Sequence, residues 1–234
     1  DDPEREIRHL ELLLERRVDG LIVASSRVTR RHAARLRRLP IPIVLVNTTA
    51  GTGVPAVLTA NRRGGAMAAR HLVELGHRRI GYIGAPAEHP AVLLRQRGVA
   101  DALPAGSFPI VVTGDGGVDG GEAAVDALLR EAATGIVGFN DLTAIGALRG
   151  LRRAGAAVPA DVSVVGFDDI EMASWTDPPL TTVRQPTDQL GSWAVARLVD
   201  ALHGAVPSRE RLLLEPELVV RGSTGPPRGS AEAG

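Results

Sequence analysis

Two stretches, Val164-Val-Gly-Phe-Asp-Asp169 and Pro179-Leu-Thr-Thr-Val-Arg-Gln-Pro186, decide how this chain is read. The first is a short apolar run that stops at two carboxylates. Aspartate disfavours strands, so the run predicts a buried parallel strand that delivers Asp168 and Asp169 to its C-terminal end. In open α/β sheets that end is where ligands bind. Asp168, at the tip, is the stronger ligand-binding candidate, because a carboxylate can accept hydrogen bonds from two hydroxyls at once, which suits sugars and polyols. Asp169 either caps the next segment or joins the site.

Outward from that strand, helical and strand patterns alternate along the whole chain. Further strands are expected at Leu21–Ala24, Ile41–Val46, Ala56–Thr59, Ile80–Ile83, Ile110–Val112, Ile136–Phe139, Leu180–Val183 and Leu212–Val220. Helices are expected from the stripe Ile7, Leu10, Leu14, over Thr29–Leu39, from Asn61 as cap to Leu75, and around Leu93–Leu103 and Glu122–Arg130. Two more run from Asp141 to near Gly155 and over Thr187–His203. This alternation demands parallel sheets with helices on both faces, and so many strands suit two sheets better than one. The fold class is therefore α/β, in two lobes hinged around a cleft by a chain that crosses between them. The last thirteen residues, mostly Gly, Ser, Pro and Ala, are too poor in apolar side chains to order themselves.

At 234 residues the chain can bury a large core in one or two domains. Its 27 basic residues, all Arg, balance 27 acidic ones, so no global field draws it toward nucleic acid or an anionic membrane. The absence of Cys excludes disulfides, thiolate catalysis and Cys-based metal sites, and fits a reducing compartment. No apolar run reaches the ~18 residues of a membrane span, and the first residues are charged rather than signal-like. A soluble protein with no membrane partner is expected.

Other residues are candidates on weaker grounds. Phe139-Asn140-Asp141 marks another strand-to-helix junction, where either side chain can cap the helix. Asn140, with donor and acceptor on one amide, is favoured to face the ligand, and Asp141 to be structural. Asn47 and Thr59 end strands and either start turns or contribute to the site. Trp175 either stacks on a sugar face or packs under its own loop. Arg95 and Arg97 precede Gly98 in a helix whose arginines would ordinarily be solvated. Arg27, Arg30, Arg31, Arg35, Arg37 and Arg38 resemble a nucleic-acid stripe but surround an apolar seam of Ala34, Leu36 and Leu39, which reads better as a solvated helix face. Catalysis finds little support: the six His residues form no metal-ligand spacing, and no Gly-x-Ser-x-Gly elbow exists. The run Gly114–Gly121 fits no phosphate loop and reads as a flexible loop. No cofactor is expected.

In order along the chain, several segments resemble the effector-binding domain of the LacI/GalR family of bacterial transcriptional regulators. They are Val18-Asp-Gly-Leu-Ile-Val23, Ile43-Val-Leu-Val46, His71-Leu-Val-Glu-Leu-Gly-His-Arg-Arg-Ile80, Arg95-Gln-Arg-Gly98, Phe139-Asn-Asp141, Val158–Asp169, Pro179–Pro186 and Val220-Arg-Gly-Ser-Thr224. The resemblance implies a periplasmic-binding-protein-like fold. Its first lobe would comprise residues 1–59 with 187–211, its second 60–186 with 212–221, and residues 222–234 would form a disordered tail. It also implies a homodimer, and effector contacts at Asn47, Thr59, Arg95, Asn140 and Asp168, with Gln185 near the cleft.

Family members begin with a helix-turn-helix head and two strand–helix steps that do not precede Asp1 here. The first lobe is thus expected to be truncated, and operator DNA to be reached only through that absent head. The function implied is a cytoplasmic, sugar-sensing regulator, most simply a repressor, whose effector is a small sugar or polyol in preference to a purine. The alternative is the secreted solute-binding protein of a sugar transporter, which shares the fold.

Overall fold

The computed structural model describes residues 12–13, 15–24, 36, 38–48, 53–86, 90–205 and 210–228. The expected helix at Ile7–Leu14 and most of the arginine-rich one at Thr29–Leu39 lie outside them. The chain divides into two compact units, residues 1–59 with 186–214 and residues 60–185 with 215–234.

The first unit holds β1 (Leu21–Ala24), β2 (Ile43–Val46) and β3 (Ala56–Thr59). Each is a four-residue run, apolar but for Thr59 at the end of β3, and short enough to form a strand. They pair in parallel, and β3 pairs in parallel with the strand Arg211–Leu214. Val44 and Val57 meet Leu190 and Ala194 of the helix Thr187–Leu202 on one face, while Leu21, Ile43, Leu45 and Leu58 pack on the other.

The second unit alternates α1 (Asn61–Glu74), β4 (Ile80–Gly84), α2 (Pro90–Ala102), β5 (Ile110–Thr113), α3 (Val118–Arg130), β6 (Gly135–Gly138), α4 (Asp141–Arg153), β7 (Ser163–Asp168) and β8 (Thr181–Arg184). The helix Thr187–Leu202 of the first unit is α5, Arg211–Leu214 is β9, and Glu217–Val219 is β10. The six-stranded sheet has the order β10-β8-β7-β6-β4-β5, parallel except for β10 at its edge. Successive side chains point to opposite faces of a strand. Accordingly Val165 and Phe167 join Leu72, Tyr82 and Val99 under α1 and α2, while Val164 joins Leu128, Leu148 and Leu151 under α3 and α4.

Five expectations need correction. Leu212–Val220 is two strands, not one, because the chain leaves β9 in one sheet and enters β10 in the other through Glu215-Pro216, and proline cannot donate to a ladder. The boundary between units therefore falls after Leu214. Residues 222–228 are not a disordered tail: Ser223 is fully buried, its hydroxyl donating to Val164 O at 2.6 Å and accepting from Thr181 N at 2.8 Å.

The run Gly114–Gly121 is not simply a loop, since its second half is the first turn of α3. A Cβ at Gly121 would stand 2.1 Å from Thr143 O, so α3 and α4 touch backbone to backbone there. Finally, Asn61 does not cap α1. The cap position is Ala60, without a side-chain bond, and Asn61 lies within the helix with its side chain directed elsewhere.

Candidate functional site

The C-terminal ends of β6 and β7 carry Phe139 and Phe167, each followed by polar residues: Asn140-Asp141 and Asp168-Asp169. Arg95, on α2, is 5% exposed and lies over both rings, its guanidinium carbon 3.5 Å from the centroid of Phe167 and 4.9 Å from that of Phe139. An aromatic face attracts a cation more strongly once both are out of water. Part of its planar fork of donors is engaged: Nε donates to Asn61 Oδ1 at 2.8 Å and Nη1 to Phe139 O at 2.6 Å. Nη2 stands 3.5 Å from Asp168 Oδ1, the oxygen that also accepts from Gln185 Nε2 at 2.7 Å. Burial lowers the pKa of Arg95 and raises that of Asp168, and for each the loss of hydration outweighs the other's charge. The result is a carboxylate, a guanidinium and an amide on one sheet tip, backed by two aromatic rings.

Asp168 and Asp169 adopt positive φ values of 120° and 56°. Asp169 does not cap the next segment, whose cap position is Ile170. Its carboxylate is 8% exposed and accepts from Arg221 Nη2 at 2.6 Å and Arg184 Nε at 2.7 Å, and those cations hold it below the ordinary carboxylate range against the effect of burial.

Asp141 is fully buried. It accepts from Thr182 Oγ1 at 2.5 Å and Ile170 N at 2.8 Å, and burial pushes its pKa up to about 6.

The expected division of labour at Asn140-Asp141 is corrected in part. Asp141 is structural, but the helix cap is Asn140, whose Oδ1 accepts from Thr143 N at 2.8 Å while Nδ2 donates to Gly116 O at 2.9 Å. Its amide is engaged by backbone rather than presented freely, because the cap position leaves helix amides to satisfy. Asn47 and Thr59 meet each other in the first unit, where Asn47, at φ 52°, accepts from Thr59 N at 2.8 Å. The Thr59 side chain is buried. Trp175 does not pack under its loop: it follows the 3-10 turn Glu171–Ser174 and is 68% exposed.

The structure thus brings Arg95, Asp168 and Gln185 together in the second unit, with Asn140 on the neighbouring strand end. Sequence reasoning missed Asn61, Phe139 and Phe167 as members of this cluster. The available signal was an aromatic placed immediately before the polar pair at two strand ends. Among the described residues, no group of three or more His, Asp or Glu side chains is arranged to hold a metal ion, and no helix is long and apolar enough to cross a membrane.

Residues 69–224 match the periplasmic binding protein-like domain family. An HTH-type transcriptional regulator from the aml 5′ region of Streptomyces limosus is 40% identical over 92% of this chain, which spans 65% of that protein. The ribose operon repressor of Escherichia coli K12 is 34% identical over 95% of the chain, and 70% of the repressor is covered. A crystal structure of a LacI family transcriptional regulator from Enterococcus faecalis V583 with bound ribose superposes with a TM-score of 0.86 at 33% identity, over 97% of this chain and 85% of that one. With the cluster at the β6 and β7 tips falling inside the matched region, the chain belongs to the LacI family of transcriptional regulators, through its periplasmic binding protein-like domain.

Proposed function

We propose that this chain is the effector-binding and dimerisation domain of a DNA-binding transcriptional repressor, and that its effector is a small sugar held by Arg95, Asp168 and Gln185. The observation that carries the reading is Arg95, buried on two aromatic rings and sharing one edge with Asp168 and Gln185. A sugar hydroxyl both donates and accepts, and this edge offers a carboxylate acceptor beside guanidinium and amide donors. Ribose is the first candidate, since it is bound in the similar Enterococcus regulator. Trp175, exposed, is proposed to stack on the sugar, and Asn140 to offer its remaining amide valences. Asn47 and Thr59 are proposed contacts from the first unit.

No chemistry on the ligand is required. Effector binding would favour one conformation of a cytoplasmic homodimer and so change its affinity for operator DNA, a coupling of typically 1–3 kcal/mol. Operator contact is assigned to a helix-turn-helix segment of the kind that names the Streptomyces relative. The regulator is preferred to a transporter's solute-binding protein because these relatives are a regulator and a repressor.

The test is calorimetric titration of the chain with D-ribose, a panel of hexoses and disaccharides, and adenosine, with Trp fluorescence followed in parallel. Saturable binding of a sugar with a fluorescence change that disappears in Trp175→Phe is the expected result. Binding of adenosine alone would replace the sugar by a purine, and binding of nothing in the panel would overturn the assignment.

A further inference from the structure

Asp168 is aimed by something other than its strand. Alternation along β7 assigns Asp168 to the face of Val164 and Gly166, whereas Arg95 lies on the ring of Phe167, on the opposite face. The carboxylate reaches Arg95 because the backbone turns left-handed at two consecutive residues, with φ 120° at Asp168 and 56° at Asp169. Neither is glycine. Such conformations are strained for an ordinary residue and persist only where the surroundings over-determine them.

The surroundings here are two sets of contacts, one on each side of the turn. On one side the next amide, Ile170 N, donates to Asp141 Oδ2 at 2.8 Å, and Thr182 holds the other oxygen of Asp141. Gly166 leaves the room this needs, since a Cβ there would stand 2.1 Å from Asp141 Oδ1. On the other side Asp169 is held by Arg184 and by Arg221. Arg221 is itself fixed: Nη1 donates to Leu180 O at 2.8 Å, and its backbone N donates to Thr181 Oγ1 at 2.9 Å. Nothing in the proposed sugar contacts requires Arg221 or Asp169, yet both are withdrawn from solvent and paired at short distance.

We propose that the Arg221–Asp169 pair, with Asp141 opposite, is a positioning device that turns Asp168 off its strand and presents its carboxylate to Arg95 and the effector. Arg221 and Asp169 touch no ligand and act through the backbone of residues 168–170. The proposal rests on Asp168 being part of the effector site only for its functional consequence. The geometric part stands apart from that reading.

The experiment uses the full chain and the variants Arg221→Met, Arg221→Lys, Asp169→Asn and Asp168→Asn, with circular dichroism confirming the fold of each. Carboxyl-carbon NMR titrations follow Asp168, and calorimetry follows D-ribose. In the parent chain, burial should make Asp168 titrate above an ordinary aspartate. In Arg221→Met and in the isosteric Asp169→Asn it should swing into solvent and fall back toward the ordinary value, with ribose affinity at least tenfold weaker. Arg221→Lys should restore both in part.

An Asp168 titration unchanged in both Arg221→Met and Asp169→Asn would overturn the positioning role. Should ribose fail to bind, or Asp168→Asn bind it like the parent, the effector assignment falls while the titration still decides the positioning role. Asp169→Asn keeps the volume of the side chain, so a folded variant remains if Arg221→Met does not fold.

Discussion

At the scale of single residues, Arg95 and Asp168 make opposite demands on a substitution. Arg95 fills space against Phe167 and donates to Asn61 and the Phe139 carbonyl, so truncation to Ala combines a cavity with the loss of two buried hydrogen bonds and should cost the fold ~2–5 kcal/mol. Arg95→Met retains the volume. With Asp168→Asn, it should keep a cooperative transition yet lose ~1.5–3 kcal/mol of sugar affinity, the scale of a charged hydrogen bond. Chemical denaturation and calorimetry on the same samples separate the two effects, and wild-type affinity in both variants would remove these residues from the site. Asp168 was legible in the sequence because a carboxylate closing an apolar run has few structural uses. Arg95 was not legible in that way: an arginine in a helix is ordinarily solvated, and only the order of family-like segments raised it. Asn61 was misread because a polar residue at a helix start looks the same whether it caps the helix or bonds a distant guanidinium.

Among the elements, the helix pair that carries Arg95 is set by close approach. A Cβ at Gly98 would lie 1.9 Å from Arg62 O, and one at Gly65 would lie 2.2 Å from Arg95 O, so backbone opposes backbone and neither side can yield by rotating a side chain. Gly98→Ala should therefore force α2 from α1, lowering stability by ~1–3 kcal/mol and weakening sugar binding as Arg95 is displaced. Equal melting temperatures would show that the helices slide freely.

Strands are legible where they hold an unbroken buried run, as in β4 and in Val164–Phe167 of β7. The run Leu212–Val220 reads as one strand because its hydropathy does not reveal that Pro216 separates two sheets. Edge position also escapes a hydropathy reading. Among the described residues β1 has one neighbour, β2, and its Ile22 is 39% exposed, whereas every residue of β4 is buried. Hydrogen exchange should accordingly be fast at Leu21–Val23 and slow at Ile80–Ile83 and Val164–Phe167. Uniform protection would mean that a further chain segment or a second copy covers β1.

For the molecule as a whole, pH acts through two histidines remote from the sheet tip and through Asp141 behind it. His77 is fully buried against Thr134, Ser163 and the Gly225 carbonyl, and His71 faces Thr224. Burial lowers the pKa of both. Their contribution to stability is therefore complete above the unfolded value of about 6.5 and declines as pH falls below it. Asp141 runs the other way. With its pKa raised to about 6, its contribution is complete below the unfolded value and is lost as pH rises through 6. Urea midpoints should fall between pH 7.5 and 6, less steeply in His71→Gln, and Asp141→Asn should steepen any further fall below pH 6. A slope above pH 6 that ignores His71 would place the titrating group elsewhere.

The passage of one short run through two sheets also sets an order of assembly during synthesis. β3 ends at Thr59 but pairs with β9 at Arg211–Leu214, so the first sheet stays open until Leu214 has left the ribosome. The second sheet has β4 to β8 in hand by Arg184 and lacks only its edge strand and the Ser223 staple. The second unit should therefore reach a compact state before the first unit closes. A nascent chain arrested before residue 211 should then protect β4 and β7 from protease while leaving β2 and β3 open to it. Arrest beyond Gly225 should close both together.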